Sequence, residues 1–598
     1  MLKNLLLDLL RAPAQALRAR QERLLSPALE SALAQFDGEQ YENTIEACKT
    51  VLARAPRSAR ANHLCGRALL ALGRHDEAMV HLRIAITANP GLAETHVDLA
   101  AALFKAGDLA GAAASCRRAV DLRPDELAHR LRLVEIFEAA NCPEDALAEL
   151  SVAQELAPGR YDLLIKLFRE VSRLGMAAEA LRLAERAIHD NGESCETLFL
   201  LASARYSGTD MQGAVEACRK ALAYRADRPE IHVTLGSALF ALGKTGEAIA
   251  AYQRALAVDP GYPDAQFHMG LIHLMRGEYR AGWQGFEQRF HRAKNRNMRP
   301  CLPRWDGSSL QGRTLLIMRE QGLGDEIMFA SCYQQVINAA QHCAIECDPR
   351  LQQLLTRSFP VATFYPLMDL QTTAQTEPGV AIDARVYAGS LPYHLRGSAG
   401  DFPAHQGYLR ADPERIVHWR TQLAALGAGL KVGISWRGGT VFTHRERRTL
   451  SLQALLPVLS VPGVRWVNLQ YGKRADEISE FNRNYGIDVV DWPEAIDGNY
   501  DETAALVNAL DLVISVCTSI VHLTGALGKS VWVLTALVPE WRYGLDSSSM
   551  PWYPAARLFR QTAQGMWDPV IGSVEQALRQ KVAGAAAEGA CNRPATMT

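Results

Sequence analysis

Residues 313–326 read RTLLIMREQGLGDE, and the rest of the chain is organised around this stretch. The apolar run from Leu315 to Met318 has the length and composition of a buried strand. It breaks into Gly322-Leu323-Gly324, after which Asp325 opens an amphipathic helix carrying Ile327, Met328 and Phe329. A strand that turns over glycines into a helix N-terminus is where open α/β sheets collect ligands, at the carboxyl ends of their strands.

Downstream, strand and helix patterns alternate. Strands are expected at 314–319, 343–347 and 361–365, with weaker strand character near 379–382 and 386–391. A polar connection at 400–413 leads into a helix over 413–427. A second set of strands follows at 431–436, 464–470, 487–490, 511–516 and 530–535, with helices near 451–459, 475–484, 501–509 and 518–527. This alternation predicts two doubly wound, Rossmann-like parallel sheets with a cleft between them. The first domain is expected over 313–410 and the second over 411–583, with a small, polar tail over 584–598.

Upstream, the chain repeats itself. Prolines fall at Pro56, Pro90, Pro124 and Pro158, a constant interval of 34, and the register runs on through Gly192 and Ala226 to Pro260. Twelve residues before these positions stand Thr44, Ala78, Ala112, Ala146, Ala180, Ala214 and Ala248. Five before them stand Val51, Ala85, Ala119, Ala153, Ala187, Ala221 and Ala255. Seventeen before them, Gly73, Gly107, Gly175 and Gly243 mark turns, as does Gly277 in a partial eighth unit. Alanines let paired antiparallel helices approach, glycine permits the turn between them, and proline stops the second helix.

Residues 28–293 therefore resemble an array of tetratricopeptide repeats (TPR), a helical superhelix whose concave face holds peptides or protein segments. Residues 1–27 form an N-terminal helix in this reading. Residues 294–312, basic and rich in proline, glycine and serine, form a linker.

The second half resembles the GT-B glycosyltransferases, and its motifs are similar to the heptosyltransferase-like branch (glycosyltransferase family 9-like). The matching pieces are Gly322-Leu323-Gly324-Asp325, Gly433-Ile434-Ser435-Trp436, and Ser515-Val516-Cys517-Thr518-Ser519 leading to His522 and Gly525. A TPR array ahead of a GT-B pair is also similar to the protein O-GlcNAc transferases. The resemblance implies a nucleotide-sugar donor on the second domain, an acceptor side on the first, and no cofactor beyond that substrate. The acceptor, in this reading, is a protein presented by the repeats.

Individual residues then take expected roles. In the resembled family the acidic residue matching Asp325 is the base that takes the acceptor hydroxyl's proton; capping the following helix is the other reading of the same residue. Gly322 and Gly324 would bring backbone close to the donor. Thr518 and Ser519, between a strand and a helix, suit a diphosphate, and His522 would donate to a phosphate or sugar oxygen. Arg437 and Arg448 would neutralise the leaving diphosphate, and Gln470, with Tyr471 and Gly472, would touch the base or ribose. Glu540-Trp541-Arg542-Tyr543 reads as packing against Trp552 and Tyr553, and Asp501 and Glu502 as a helix cap. Position 517 departs from the resembled pattern: aspartate is common there to hold sugar hydroxyls, and cysteine does not make those bonds. No D-x-D-like metal triad stands at a strand end in the second half, so no metal site is expected.

Bulk properties bound the alternatives. With 64 basic and 65 acidic residues among 598, nucleic acid is not an expected partner. The 12 cysteines show no zinc spacing and read as free thiols in a cytoplasmic protein. No transmembrane run of about 20 apolar residues is present. The competing function is a catalytically inactive GT-B/TPR interaction scaffold.

Overall fold

The computed structural model describes residues 27–292, 302–366, 382–439 and 445–591. The N-terminal helix, residues 294–301 of the linker, most of the 379–382 strand, Thr440, His444 and the last seven residues lie outside them.

Thirteen-residue helices begin at Ala59, Ala93, Leu127, Tyr161, Cys195, Pro229 and Pro263, each 34 residues after the one before. Each is preceded by a partner of 14 or 15 residues, among them Tyr41–Arg54, His75–Ala88 and Ala177–Asn191. The small positions are where the helices meet. Thr44, Ala78, Ala112, Ala146, Ala180, Ala214 and Ala248 are fully buried, as are the alanines seven residues after each of the last six. The turn position has positive φ in every unit: Gly73, Gly107, Gly175, Gly243 and Gly277, but also Glu39, Asn141 and Thr209, between +56° and +65°. The register therefore dictates the backbone even where the residue disfavours it.

A second polar series keeps the same period. The carbonyl that follows each helix pair receives a side-chain donor: Asn62 on Pro56, His96 on Pro90, Arg130 on Pro124, His232 on Ala226 and Gln266 on Pro260, at 2.7–3.2 Å. Where Leu164 and Leu198 occupy that position, Gln154 serves Pro158 and Thr197 serves Gly192. An orphaned carbonyl at a helix end costs free energy, so each turn supplies its own donor. The chain divides into two compact units at Gly208/Thr209, so the last repeats fold with the α/β region.

In that region β1 (Thr314–Met318), β2 (His342–Cys347), β3 (Thr363–Pro366) and β4 (Ala384–Tyr387) form one sheet, in the order β3-β2-β1-β4, with every pair parallel. β5 (Leu430–Ser435), β6 (Val464–Asn468), β7 (Val489–Val490), β8 (Leu512–Val516), β9 (Val531–Thr535) and β10 (Ala556–Arg560) form the second, in the order β10-β9-β8-β5-β6-β7, again all parallel. The second order is the Rossmann arrangement, which reverses between β5 and β8 and opens a crevice there.

Several expectations need correction. The 386–391 strand is β4 followed by a helical turn and the helix Leu391–Leu395, because Pro392 lies in its first turn. The 451–459 helix is only Leu456–Leu459. The tail does not begin at 584, since a helix runs from Asp568 to Cys591; β10 and this helix are additions to the expected set. Asn499, not Asp501 or Glu502, caps the Tyr500–Ala509 helix. Asp501 instead clamps Arg357 of the first sheet's domain at 2.5 and 2.7 Å, and Glu502 holds Arg415 and Trp419.

Candidate functional site

A cleft of about 800 Å³ opens at the carboxyl ends of β1 and β8. Its walls bring together Gly322, Gly324 and Asp325 after β1, Arg350 after β2, Tyr471 and Gly472 after β6, and Thr518, Ser519 and His522 after β8. Arg448, Tyr500, Cys517, Glu540, Arg542 and Tyr543 also line it. Seven of the nine residues expected from the sequence thus share one cavity.

The left-handed residue of the β1 turn is Gln321, at φ +64°, not a glycine. Gly322 is the N-cap, and its N–H donates to Asp325 Oδ2 at 3.3 Å, so the capping reading of Asp325 holds. Gly324 is small for another reason: a Cβ there would lie 2.9 Å from His522 Cδ2 and 3.3 Å from the Cα of Ser519. The helices Leu323–Phe329 and Ser519–Ala526 pack across this glycine, one from each α/β domain.

Asp325 Oδ1 stands 2.6 Å from Arg542 Nη2. Arg542 Nη1 is 3.3 Å from His522 Nε2, and His522 Nδ1 is 3.1 Å from the Tyr553 hydroxyl. Burial, then the Arg542 charge, push the His522 imidazole well below its ordinary range, so it is neutral. Facing a guanidinium donor, Nε2 accepts; Nδ1 carries the proton and donates to Tyr553. Arg448 pairs with Glu540, and Arg350 grips Asp348 through two bonds of 2.8 and 2.9 Å. Every cleft arginine therefore has a carboxylate counter-ion.

Thr518 caps the Ser519–Ala526 helix, accepting from Ile520 N–H at 3.2 Å, while Ser519 Oγ meets the Tyr500 hydroxyl. That helix points its positive end into the cleft. Cys517 is buried, its Sγ 3.8 Å from the Leu534 carbonyl, and burial raises its thiol above the ordinary range, so it is a neutral wall.

Two expected ligand contacts are not in the cleft. Gln470 is 3% exposed, and its Oε1 accepts from Ser435 Oγ, Trp436 N–H and Arg437 N–H at 2.8–3.2 Å. It is a splint for the end of β5, because those groups have run out of strand partners. Arg437 pairs with Glu477 at 2.9 Å and donates to the Lys473 carbonyl, away from the cavity. Conversely, the Glu540–Tyr543 run is both packing and lining: Trp541 meets Trp552, whereas Glu540, Arg542 and Tyr543 face the cleft. Arg350 lacked a motif, but its place just after a strand's carboxyl end, in Asp348-Pro349-Arg350, was a usable signal. Among the described residues no group of three metal-ligating side chains occurs, and no helix is long and apolar enough to cross a membrane.

Fold and sequence together define a tetratricopeptide-repeat protein with a C-terminal α/β region of parallel sheets. Tetratricopeptide family models match residues 35–96 and 97–161, a TPR repeat model matches 236–277, and the model for anaphase-promoting complex, cyclosome, subunit 3 matches 174–255. The chain belongs to the family of Protein FlbA of Caulobacter vibrioides, to which it is 30% identical over 511 residues, covering 80% of this chain and 83% of FlbA. Among solved structures it is similar to YrrB, a TPR protein with an unusual peptide-binding site (16% identity, 31% of this chain, 97% of that one, TM-score 0.27). It is also similar to the C-terminal part of a TPR protein from Cytophaga hutchinsonii (16% identity, 40% and 97% covered, TM-score 0.33).

Proposed function

We propose that the two sheets form a GT-B glycosyltransferase, and that the cleft takes a nucleoside-diphosphate sugar. The observation that carries this reading is the meeting, in one cavity, of the Thr518–Ser519 helix N-terminus and two arginines, Arg448 and Arg542, opposite the carboxylate of Asp325. A helix N-terminus and guanidinium groups are what a diphosphate requires. Tyr471, 46% exposed, offers a ring face to the nucleoside. Asp325 takes the proton from an acceptor hydroxyl as its oxygen bonds the anomeric carbon and the diphosphate departs. The repeats recruit the acceptor, a protein or peptide, and the reaction belongs to the cytoplasm, where free thiols persist.

One observation favours a second reading. Cys517 gives the sugar no acidic partner, as in a scaffold that binds ligand without turning it over. Calorimetry of the full chain with UDP, GDP, ADP, CMP and their common sugar conjugates separates the two. A nucleotide that binds, with donor consumption abolished in Asp325→Asn, is the expected result. Binding without consumption selects the scaffold, and no binding removes the nucleotide site altogether.

A further inference from the structure

The Asp325–Arg542 pair is close but not aligned. Asp325 Oδ1 and Arg542 Nε are both buried without a well-formed hydrogen bond, although Oδ1 lies 2.6 Å from Nη2. An arginine that meets a carboxylate as a fork makes two parallel bonds, and this one does not. Arg542 is also the charge beside a neutral histidine, so Asp325 is its counter-ion at this end of the cleft. The backbone around it is anchored: Trp541 packs on Trp283 and Phe286, and Leu545 N–H donates to the Met275 carbonyl. The side chain can change partner while its segment stays.

We propose that Arg542 is a positioning residue contested by Asp325 and the donor: the diphosphate draws the guanidinium away, and only then is the Asp325 carboxylate free to take the acceptor's proton. This rests on the proposed function and adds to it an order, donor before acceptor. In the empty cleft the base is held by Arg542. In the loaded cleft the more highly charged diphosphate holds Arg542, the hydroxyl proton passes to Asp325, the new carbon–oxygen bond forms, and the bond to the diphosphate breaks.

The test is nucleoside diphosphate binding to the full chain, measured by calorimetry in four forms: native, Asp325→Asn, Arg542→Gln and the double variant. Asparagine keeps the cap on Gly322 N–H but removes the competing charge. Asp325→Asn is therefore expected to tighten UDP, GDP or ADP binding roughly three- to tenfold. Arg542→Gln is expected to weaken binding by about tenfold or more, and in its background Asp325→Asn should have no further effect. CMP, with one phosphate, should show a smaller gain. Unchanged or weaker diphosphate binding in a folded Asp325→Asn protein overturns the contest while leaving the donor site standing. Failure of the native chain to bind any nucleotide of the panel overturns the donor site, and this inference with it.

Discussion

Trp541 meets Trp283 edge to face, with ring centroids 5.4 Å apart. The first belongs to the segment that lines the cleft and the second to the last repeat helix, Tyr279–Glu287. Phe286, Phe402 and Trp552 close around them, and Trp283 Nε1 donates to the Arg396 carbonyl at 2.8 Å. The final repeat is thus part of the α/β core. Trp283→Ala is expected to cost about 3–5 kcal/mol, the usual range for a buried tryptophan. Loss of the α/β unfolding transition to lower urea, with the first repeats unmoved, is the readout. An unshifted transition would show that the aromatic cluster is dispensable.

The turn register yields a gain of stability. Thr209 holds φ at +65°, where a β-branched residue pays a steric penalty that glycine avoids. Thr209→Gly should raise stability by about 0.5–1.5 kcal/mol, net of the added freedom of the unfolded chain. Urea midpoints of the two proteins decide it, and a lower midpoint for glycine would contradict the register argument.

Gln470 and Arg437, expected to touch the nucleoside and the diphosphate respectively, both turn away from the cleft and differ in what their removal costs. Removing the Gln470 side chain strands the buried N–H groups of Trp436 and Arg437, a loss of about 1–3 kcal/mol. Arg437→Ala breaks a partly exposed ion pair with Glu477 and should cost less than about 1 kcal/mol. Denaturation of Gln470→Ala and Arg437→Ala side by side tests the ranking, and equal losses would count against it.

What the sequence made legible follows from how local each signal is. The repeats were readable because one backbone geometry recurs every 34 residues, so Ala78 and Ala248 report the same contact. The central strands β1, β2, β5, β6, β8 and β9 were readable because buried parallel strands are continuous apolar runs, whereas β10, whose Arg557 and Arg560 interrupt the apolar pattern, was not. The orientation of Gln470 was not, since a polar residue after a strand looks the same whether it faces a ligand or folds back on Ser435. Arg542 was hidden for the converse reason: among Trp541, Tyr543 and Trp552 its neighbours announce packing, and only the fold brings it to Asp325. Gly324 carried a real signal whose cause, the His522 ring, sits almost 200 residues away.

The buried His522 makes stability depend on pH. It is 2% exposed, and burial with the Arg542 charge beside it depresses its folded-state value well below the ordinary 6.5. The unfolded chain then binds a proton that the folded one refuses once the pH drops under about 6.5, and stability rises with pH wherever the unfolded state holds more protons. The contribution is complete above that value and declines as the solution becomes more acid, by up to about 1.4 kcal/mol per pH unit for one such group. His394 and His405, also depressed by burial, add in the same direction. His522→Gln retains a donor for Tyr553 and an acceptor for Arg542 but cannot titrate. Urea denaturation of both proteins at pH 7.5 and 5.5 should therefore give the variant a smaller acid loss than the native chain, with His81, His96, His394 and His405, all depressed by burial, adding to the loss in each. Equal losses in the two proteins would mean that His522 takes up its proton as readily in the fold as outside it.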